Sequence, residues 1–519
     1  MALNRWITAN DLYNYTKCLH KVYLDANGNS AEKGEVSQFA KLLWEMGLQT
    51  ERDYLTGVGE RPVTDLSRST PEAAWAQTSE AMRRGDELIY QGCLVHDPST
   101  RLRGAQPRSG LRPADGLGDS LSIEDESVGL RRYRGRPDLL LRHNDGASTW
   151  GAYYYEPIDI KAGKGWEERD GEVVRFKKHY AYQMMFYRDL LQQIQGYLPP
   201  LTRIINVDQE LEEFDPTPFE ADYRAAKAHV EQLVAGEDQS EPVLGSHCAQ
   251  CEWFHHCRDW ADQTDDPTKV FFIGSVKFGL KRVGIQTVGD LARIDVEKHL
   301  QPPLKVPRMG RATLERAKRR AQVVLDGTPQ IRPGYSFPQA ATEVYFDIED
   351  DPTRGVTYLY GLLEHGPSKK PRFHYFLAER PEDEERAVRE FWDFIRRTDD
   401  AVYYVYSHKE RTTLRRLRDK YDLDSAVYEK YVQAEYDLYQ KLVVDYSDWP
   451  TYSYGIKHIA GQIGFSWRDP DPSGVNSIVW YNDFLSDPSR RHMMERILQY
   501  NEDDCRAMVA VKKYFVAKM

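Results

Sequence analysis

TEVYFDIE, residues 342–349, decides the fold of the C-terminal part of the chain. The segment is strand-like, and a strand directs the side chains of Asp347 and Glu349, two residues apart, to the same face. Two carboxylates on one face are close enough to bind one cation. The alternative is a solvated strand edge, because acidic pairs at this spacing also arise by chance in a chain with 81 acidic residues among 519.

A second segment, YNEDD, lies on a predicted closing helix and begins with Tyr500. Asp504 follows four residues later, so the two side chains share one face of that helix. Between the two segments, VYYVYSHKERTTLRRL predicts a strand followed by the start of a helix that carries Glu410. Strands and helices alternate over this part of the chain, which predicts an α/β domain at residues 340–519.

The order of these motifs resembles the DEDD exonucleases of the ribonuclease H fold, in the subclass with Tyr in the last motif. The resemblance implies a 3′–5′ exonuclease whose carboxylates hold two divalent cations, Mg²⁺ or Mn²⁺, and whose tyrosine positions the attacking water. Hard cations prefer carboxylate oxygen, and a pair about 4 Å apart stabilises both the attacking and the leaving oxygen. This chain has Glu where the middle motif of the family usually has Asp. The implied ligands are Asp347, Glu349, Glu410 and Asp504, and the implied catalytic tyrosine is Tyr500.

Two further strand-like segments, GRPDLLL and PIDIKAGK, flank a turn signal in the N-terminal half. They carry Asp138, Asp159 and Lys161 in the spacing D…(D/E)xK. Two carboxylates in this arrangement can bind a cation, and the lysine can polarise water or stabilise charge on the scissile phosphate. An ordinary salt-bridged hairpin is the alternative.

This spacing resembles the RecB-like branch of the PD-(D/E)xK nucleases, and more narrowly the iron-sulfur type found in CRISPR-associated RecB-like exonucleases and AddB helicase-nuclease subunits. The resemblance implies a restriction-endonuclease-like domain at residues 1–262. It also implies that Glu51, where many relatives have His, is a further ligand of the divalent metal. Gln183 and Tyr187 share one face of a later helix and are further candidate catalytic residues. Residues 97–127 are rich in Gly, Pro, Ser and charge, which is typical of a mobile insertion.

Three of the six cysteines, Cys248, Cys251 and Cys257, lie close together in the sequence. In a reducing compartment such a cluster indicates a metal site and not disulfides. The iron-sulfur nuclease resemblance implies that these three cysteines and Cys18 together hold a [4Fe-4S] cluster. Four thiolates also suit zinc, and a Cys/His zinc knuckle that includes neighbouring histidines is the alternative.

Residues 269–332 carry fourteen Lys and Arg against five Asp and Glu, a net charge of +9 in a protein whose total is −11. A basic segment in an acidic chain is the pattern expected of nucleic-acid contact. The stretch KFGLKRVGIQTVGDLARI resembles a helix-hairpin-helix, whose Gly-containing turn donates backbone N–H groups to a phosphate. A charged helical spacer is the alternative. The candidate nucleic-acid-binding residues are Lys281, Arg282, Gly284, Lys318 and Arg319.

The composition, 41% hydrophobic and 29% charged, is typical of a protein that folds in water. No apolar run approaches the roughly 20 residues that cross a bilayer, and the N-terminus carries no export signal. We therefore expect a cytoplasmic protein without a membrane partner. The acidic total argues mildly against nucleic-acid binding, so the local charge of each segment matters more than the net charge.

Together these features predict an α/β multidomain protein with a restriction-endonuclease-like domain, a small helical domain and a ribonuclease H-like domain. We expect a phosphodiesterase with two metal sites that acts on the ends of DNA or RNA, with DNA favoured. A helicase or another DNA-processing protein is its candidate partner. Two other classes of protein are open: a nucleic-acid-binding scaffold with one inactive nuclease site, and a zinc-stapled protein whose acidic pairs are surface features.

Overall fold

The structure is a computed structural model, and it describes residues 5–59, 61–97, 131–169, 172–366 and 370–519. The predicted insertion at 97–127 lies outside these residues from residue 98 onward. Within the described residues, no helix combines the length and the apolarity required to cross a membrane.

By compactness the chain divides into two units. The first comprises the residues up to Gly34 together with Leu43–Pro242, and the second comprises Glu35–Leu42 together with Val243–Met519. This division is coarser than the three predicted domains, whose boundaries stay a prediction.

The first unit contains a six-stranded mixed sheet with helices packed against it. Its strands are β1 (Ile7–Thr8), β2 (Val63–Asp65), β3 (Leu88–Tyr90), β4 (Leu94–His96), β5 (Tyr133–Gly135), β6 (Leu139–His143), β7 (Tyr154–Ile160), β8 (Trp166–Arg169), β9 (Glu172–Phe176), β10 (Arg203–Ile205) and β11 (Leu211–Glu213). Its helices are α1 (Ala9–Lys17), α2 (Leu19–Asn27), α3 (Gln38–Gly57), α4 (Pro71–Arg84), α5 (Lys178–Gln195) and α6 (Glu220–Ala235), with 3-10 turns at Ser30–Glu32 and Thr217–Phe219. Helix α3 belongs to this unit from Leu43 onward. The strand order is β11-β10-β7-β6-β3-β2, while β1, β5 and β4 form a three-stranded sheet and β8 pairs with β9.

The central strand β7 positions the N-terminal candidate site. Every residue of its sequence YYEPIDI is buried, as expected of a strand covered on both faces. Asp159 lies near its C-terminal end, and Asp138 directly precedes the neighbouring antiparallel strand β6. Helix α5 packs on β7 and contributes Met184 and Leu191 to the apolar core of the unit.

The second unit contains a five-stranded mixed sheet, a helical segment before it, and helices on the sheet. Its strands are β12 (Gln330–Ile331), β13 (Thr342–Asp351), β14 (Val356–His365), β15 (Arg372–Leu377), β16 (Ala401–Val405), β17 (Glu435–Asp437) and β18 (Ser447–Asp448). Its helices are α7 (Phe254–Gln263), α8 (Lys277–Arg282), α9 (Val288–Ala292), α10 (Arg311–Asp326), α11 (Glu384–Arg397), α12 (Lys409–Tyr421), α13 (Ser425–Ala434), α14 (Ile456–Gln462), α15 (Gly474–Ser486) and α16 (Arg491–Val516). Shorter elements are 3-10 turns at Ser246–Gln250, Pro267–Lys269, Gly274–Val276, Lys298–Leu300 and Pro381–Asp383, and a π-helix at Tyr439–Val444.

The sheet of the second unit has the strand order β15-β14-β13-β16-β17. Strands β13, β14 and β15 are antiparallel neighbours, whereas β16 and β17 run parallel to β13. Asp347 on β13 lies opposite Gly361 on β14, and the register shifts directly after Glu349. The long helix α16 packs on both β13 and β14. The mixed α/β architecture expected of this multidomain chain is confirmed.

The basic segment before the sheet is helical, as predicted. The short helices α8 and α9 flank Gly284, whose φ of 89° lies in the region that favours glycine. Helices α9 and α10 pack together around a core that includes Leu280, Leu291 and Leu314. The finer assignment of this segment as a helix-hairpin-helix stays a prediction.

Candidate active sites

Three carboxylates meet in the second unit. Asp347 and Glu349 come from β13 and Asp504 comes from α16, and one oxygen atom of each lies within 4.8 Å of the others. Across the described ranges, no other three His, Cys, Asp or Glu side chains meet in this way. Oxygen ligands this close suit a hard divalent cation such as Mg²⁺ or Mn²⁺.

Asn501 bridges two of these carboxylates. Its Nδ2 donates a hydrogen bond to Asp347 Oδ2 at 2.8 Å and lies 3.5 Å from Glu349 Oε1. Gly361 makes room for this amide, because a Cβ atom at residue 361 would lie 1.6 Å from Asn501 Oδ1. That Oδ1 atom is buried and has no hydrogen-bond partner within the part of the chain that the structure describes. A neutral donor therefore lies between two carboxylates that would otherwise repel each other.

Burial and mutual repulsion raise the pKa values of these carboxyl groups. Burial raises the pKa of Asp347 well above its ordinary value, and the charges of Asp504 and Glu349 add to this shift. Burial and the charge of Asp504 raise the pKa of Glu349 to about 8, against the opposing charges of Lys409 and Lys457. Burial also raises the pKa of Asp504. The protein alone does not compensate three negative charges here, and a bound cation would do so.

Tyr500 lies beside the three carboxylates. Its hydroxyl accepts a hydrogen bond from Lys457 Nζ at 2.7 Å, and burial raises the pKa of this phenol well above its ordinary value. Lys457 Nζ also lies 3.7 Å from Asp504 Oδ1, to which Trp467 Nε1 donates at 2.7 Å. Lys457 thus contacts both Tyr500 and Asp504. Because the phenol of Tyr500 stays neutral, it is suited to orienting a water molecule and not to removing its proton.

Glu410, the residue predicted for the middle motif, lies in the first turn of α12 and is buried. It is not a member of the group formed by the three carboxylates. Ser407 Oγ donates to Glu410 Oε2 at 3.1 Å, and burial raises the pKa of Glu410 to about 7. Glu410 is close enough for its charge to raise the pKa of Asp347. Its role as a fourth ligand stays a prediction.

The residues predicted for the N-terminal site form a chain of hydrogen bonds in the first unit. Lys161 Nζ donates to Asp159 Oδ2 at 2.8 Å and to Gln183 Oε1 at 2.9 Å. Asp159 Oδ1 accepts a hydrogen bond from the backbone N–H of Asp138 at 3.1 Å. At the other end, Gln183 Nε2 lies 3.4 Å from the hydroxyl of Tyr187. The five residues that the sequence singled out on the strands and on helix α5 therefore lie together.

Gln91 joins Glu51 to this chain. Its Nε2 donates to Glu51 Oε2 at 3.0 Å and to Asp138 Oδ1 at 2.8 Å, and the hydroxyl of Tyr90 donates to the same Glu51 oxygen at 2.7 Å. Burial raises the pKa of Asp138 well above its ordinary value, and the charges of Asp159 and Glu51 add to the shift. The three predicted carboxylates are thus linked through one amide and one backbone N–H.

Lys161 keeps its charge in this site. Burial lowers the pKa of Lys161, but the carboxylates of Asp159 and Asp138 outweigh burial, and the pKa is raised. A lysine that stays protonated cannot act as a base at neutral pH, whereas it can stabilise negative charge that develops on a phosphate.

The four cysteines of the predicted cluster are divided between the two units, one in the first and three in the second. Cys18 lies between α1 and α2 in the first unit. Cys248 lies in a 3-10 turn of the second unit, Cys251 follows that turn, and Cys257 lies in α7. Cys248 and Cys257 belong to the same small apolar cluster. The expectation of a [4Fe-4S] cluster, and the zinc alternative, stay predictions.

Most of the basic residues predicted to bind nucleic acid already have partners within the second unit. Lys281 Nζ lies 2.9 Å from Asp266 Oδ2, and Lys318 Nζ donates to a backbone carbonyl at 2.9 Å. Arg319 Nε lies 3.4 Å from an oxygen of Asp448. Arg282 and Gly284 are exposed at the turn. The positive charge of the segment is therefore partly compensated within the fold.

Among the residues of these sites that were not predicted are Asn501, Lys457, Trp467 and Gln91. Asn501 had a detectable signal, because it lies three residues before Asp504 and so shares its helical face. The other three carry no motif, and only the packing of their segments brings them to the sites.

Residues 344–516 match the family model described as RNase_H superfamily. No curated protein and no solved structure matches the chain. The matched span contains the three carboxylates and Tyr500. The C-terminal domain therefore has a ribonuclease H-like, nuclease-type fold, as the order of its motifs predicted. Nucleases of this kind typically use Mg²⁺ or Mn²⁺, and the acidic group supplies suitable ligands.

Proposed function

We propose that the protein is a metal-dependent nuclease whose C-terminal domain removes nucleotides from the 3′ ends of DNA or RNA. The observation that carries the proposal is the meeting of Asp347, Glu349 and Asp504 within 4.8 Å, in a domain that matches the RNase_H superfamily. The all-oxygen donor set fits Mg²⁺ or Mn²⁺. The Tyr500 motif on α16, four residues before Asp504, favours a 3′–5′ exonuclease over other nucleases of this fold.

In this proposal Asp347, Glu349 and Asp504 would hold divalent cations, with Glu410 as the fourth ligand. Such cations would supply a lowered pKa for the attacking water and compensation of charge on the leaving oxygen. Tyr500 orients the water. Lys457 fixes the hydroxyl of Tyr500 through its 2.7 Å hydrogen bond.

A second, RecB-like nuclease site belongs to the first unit in this proposal. Glu51, Asp138 and Asp159 hold a divalent cation there. Lys161 stabilises charge on the scissile phosphate, and its raised pKa supports that role. Gln183 accepts a hydrogen bond from Lys161 at 2.9 Å and orients it, with Tyr187 beside it.

As the iron-sulfur nuclease resemblance implies, the proposal assigns Cys18, Cys248, Cys251 and Cys257 as ligands of a [4Fe-4S] cluster, with zinc as the alternative metal. Protein purified without oxygen should be brown, and Cys251→Ala should lose the colour and lower the melting temperature. Colourless protein that was purified without oxygen and holds stoichiometric zinc would exclude the iron-sulfur cluster. A helix-hairpin-helix at 269–332 would contact the nucleic acid, and a helicase would supply single-stranded ends, with DNA favoured over RNA.

The test is cleavage of 5′-labelled single-stranded DNA, double-stranded DNA and single-stranded RNA with Mg²⁺ or Mn²⁺. Wild-type protein should shorten at least one substrate from its 3′ end, and Asp347→Ala should abolish this shortening. Glu343→Gln is the matched control, because Glu343 lies on the same strand and pairs with Lys512. If the protein binds these nucleic acids but cleaves none of them under any condition, the proposed nuclease function is refuted and a nucleic-acid-binding scaffold is favoured.

A further inference from the structure

We propose that an aromatic pocket of the second unit binds an unpaired nucleobase of the substrate strand, beside the C-terminal carboxylates. The inference rests on the proposed nuclease function. It specifies the substrate further, as a strand whose end is single-stranded.

The pocket has a volume of about 600 Å³, within the range of cavities that hold small organic ligands. Six of its fifteen lining residues are Phe or Tyr. They are Phe271, Phe272, Tyr406, Tyr439, Tyr452 and Tyr454. Flat aromatic rings are the surfaces on which unpaired bases stack, and such stacking tolerates any base because every base has a π-face.

The position of Phe272 in this pocket is not explained by a contribution to the stability of the fold. Its side chain is 66% exposed, so it contributes little to a core. Its backbone has a φ of 70°, a left-handed conformation that is unfavourable for a bulky residue. Its ring packs on Phe271 at 4.1 Å between centroids, and Phe271 stacks on Tyr454 at 3.8 Å. A strained, exposed phenylalanine at the end of a stack of rings is placed to receive a further ring from a ligand.

Arg320 supports this stack from inside the fold. Its guanidinium is buried and lies 5.0 Å from the ring centres of both Phe271 and Tyr454. Asp448 accepts a hydrogen bond from Arg320 Nε at 3.1 Å. The Nη2 atom of Arg320 is buried and makes no hydrogen bond among the described residues. The buried guanidinium of Arg320 therefore keeps the rings of Phe271 and Tyr454 in place through cation–π contacts. A surface that is preorganised in this way loses little entropy when it binds a base.

Two segments connect the pocket directly to the candidate active site. Ser407 lines the pocket, and its hydroxyl donates to Glu410 at 3.1 Å. Gly455 also lines the pocket, and Lys457, two residues later, donates to Tyr500 at 2.7 Å. Two residues of chain span at most about 7 Å. A nucleotide seated in the pocket therefore lies near the strand end that the carboxylates would cut.

The charges around the pocket suit the phosphates of such a strand. Lys409 follows the pocket residue His408 and pairs with Asp350. Burial raises the pKa of Tyr452, and the nearby charge of Arg258 opposes that shift. Positive groups beside an aromatic surface are the combination that binds single-stranded nucleic acid.

The test is fluorescence anisotropy of the full chain with a labelled oligothymidylate in EDTA, which prevents cleavage. Phe272→Ala should raise the Kd about 5-fold or more, because loss of one stacked base costs about 1–3 kcal/mol. Tyr375→Ala, which removes an aromatic ring that is 50% exposed on β15, is the matched control and should leave the Kd unchanged. Tyr452→Leu is a second pocket variant, and the melting temperature of each variant checks its folding.

An oligonucleotide with one abasic position, moved along the strand, makes the test specific for a base. At one position the abasic substitution should weaken binding to wild-type protein but not to Phe272→Ala. Equal Kd values for wild type and both pocket variants, or the same abasic penalty in wild type and Phe272→Ala, would overturn the proposal. Cleavage by wild-type protein is read separately. Cleavage without a base effect refutes the pocket alone, whereas a base effect without cleavage refutes the nuclease function alone.

Discussion

The ammonium group of Lys457 donates a 2.7 Å hydrogen bond to the hydroxyl of Tyr500, a residue from another helix of the same unit. The lysine also lies 4.8 Å from the centre of the Tyr500 ring and 3.7 Å from Asp504 Oδ1. One side chain from α14 therefore contacts both functional residues that α16 contributes to the site. We infer that Lys457 is a positioning residue for Tyr500.

Lys457→Met should lower kcat on the order of 100-fold with little change in KM, because a misplaced Tyr500 disturbs the reaction more than it disturbs substrate binding. Lys457→Arg should recover part of kcat by restoring a donor to the phenol. Lys430→Met is the control, since Lys430 pairs with Asp399 at 2.9 Å. Steady-state kinetics on a single-stranded substrate measures all three. An increase in KM alone would mean that Lys457 binds substrate and does not position Tyr500.

Gly361→Ala should disturb the C-terminal carboxylate site, because Gly361 lies on β14 opposite Asp347 on β13. The new Cβ would lie 1.6 Å from Asn501 Oδ1, so Asn501 must leave Asp347 or the strands must separate. We expect the free energy of unfolding to fall by about 1–3 kcal/mol, as is typical of overpacking, together with loss of cleavage. Gly461→Ala is the control, because a Cβ at residue 461 meets no atom within 4 Å. Urea unfolding that shows equal stability for both variants would contradict this role of Gly361.

Metal-free protein should become less stable as the pH rises. Glu349 has an ordinary pKa of 4.5, and burial raises it to about 8 in the folded state. Between these two values the folded state binds more protons at Glu349 than the unfolded state does. The contribution of Glu349 to the free energy of unfolding is therefore greatest below pH 4.5 and is lost as the pH rises through about 8.

Thermal unfolding in EDTA across this pH range tests the direction of the effect. Mn²⁺ should reduce the loss of stability at high pH, since a cation compensates the carboxylates. Glu349→Gln should have a shallower pH dependence in EDTA because it removes one titrating group. Stability in EDTA that increases between pH 5 and about 8 would show that these carboxylates are not the dominant titrating groups.

Local periodicity was sufficient to predict part of the C-terminal site. A strand repeats every two residues and a helix places residues four apart on one face, so spacing placed Asp347 with Glu349 and Tyr500 with Asp504. That these residues form one set of ligands was implied by the DEDD resemblance and not by spacing. Lys457 and Trp467 could not be assigned, because they follow irregular segments and reach the site only through tertiary packing. The role of Gly361 depends on strand register, which the sequence of β13 does not reveal.

The two candidate sites should act independently. Asp347→Ala should abolish removal of nucleotides from the 3′ end and leave any cleavage by the first unit in place. Lys161→Ala should have the converse effect, because within the described residues its ammonium group donates to Asp159 and Gln183 of its own unit. The double variant should bind nucleic acid without cutting it. Loss of both activities in either single variant, with unchanged melting temperature, would contradict independence.

The central claim is that the carboxylates of the second unit cut a phosphodiester through bound metal. Its most direct test is a single-turnover assay on a 5′-labelled strand with one sulfur in place of a non-bridging oxygen of the 3′-terminal phosphodiester. Sulfur binds hard Mg²⁺ poorly and the softer Mn²⁺ better. We predict slow cleavage in Mg²⁺, restored cleavage in Mn²⁺, and no cleavage by Asp347→Ala with either ion. Equal rates for the sulfur and oxygen substrates in Mg²⁺, or cleavage from the 3′ end by Asp347→Ala, would contradict the account.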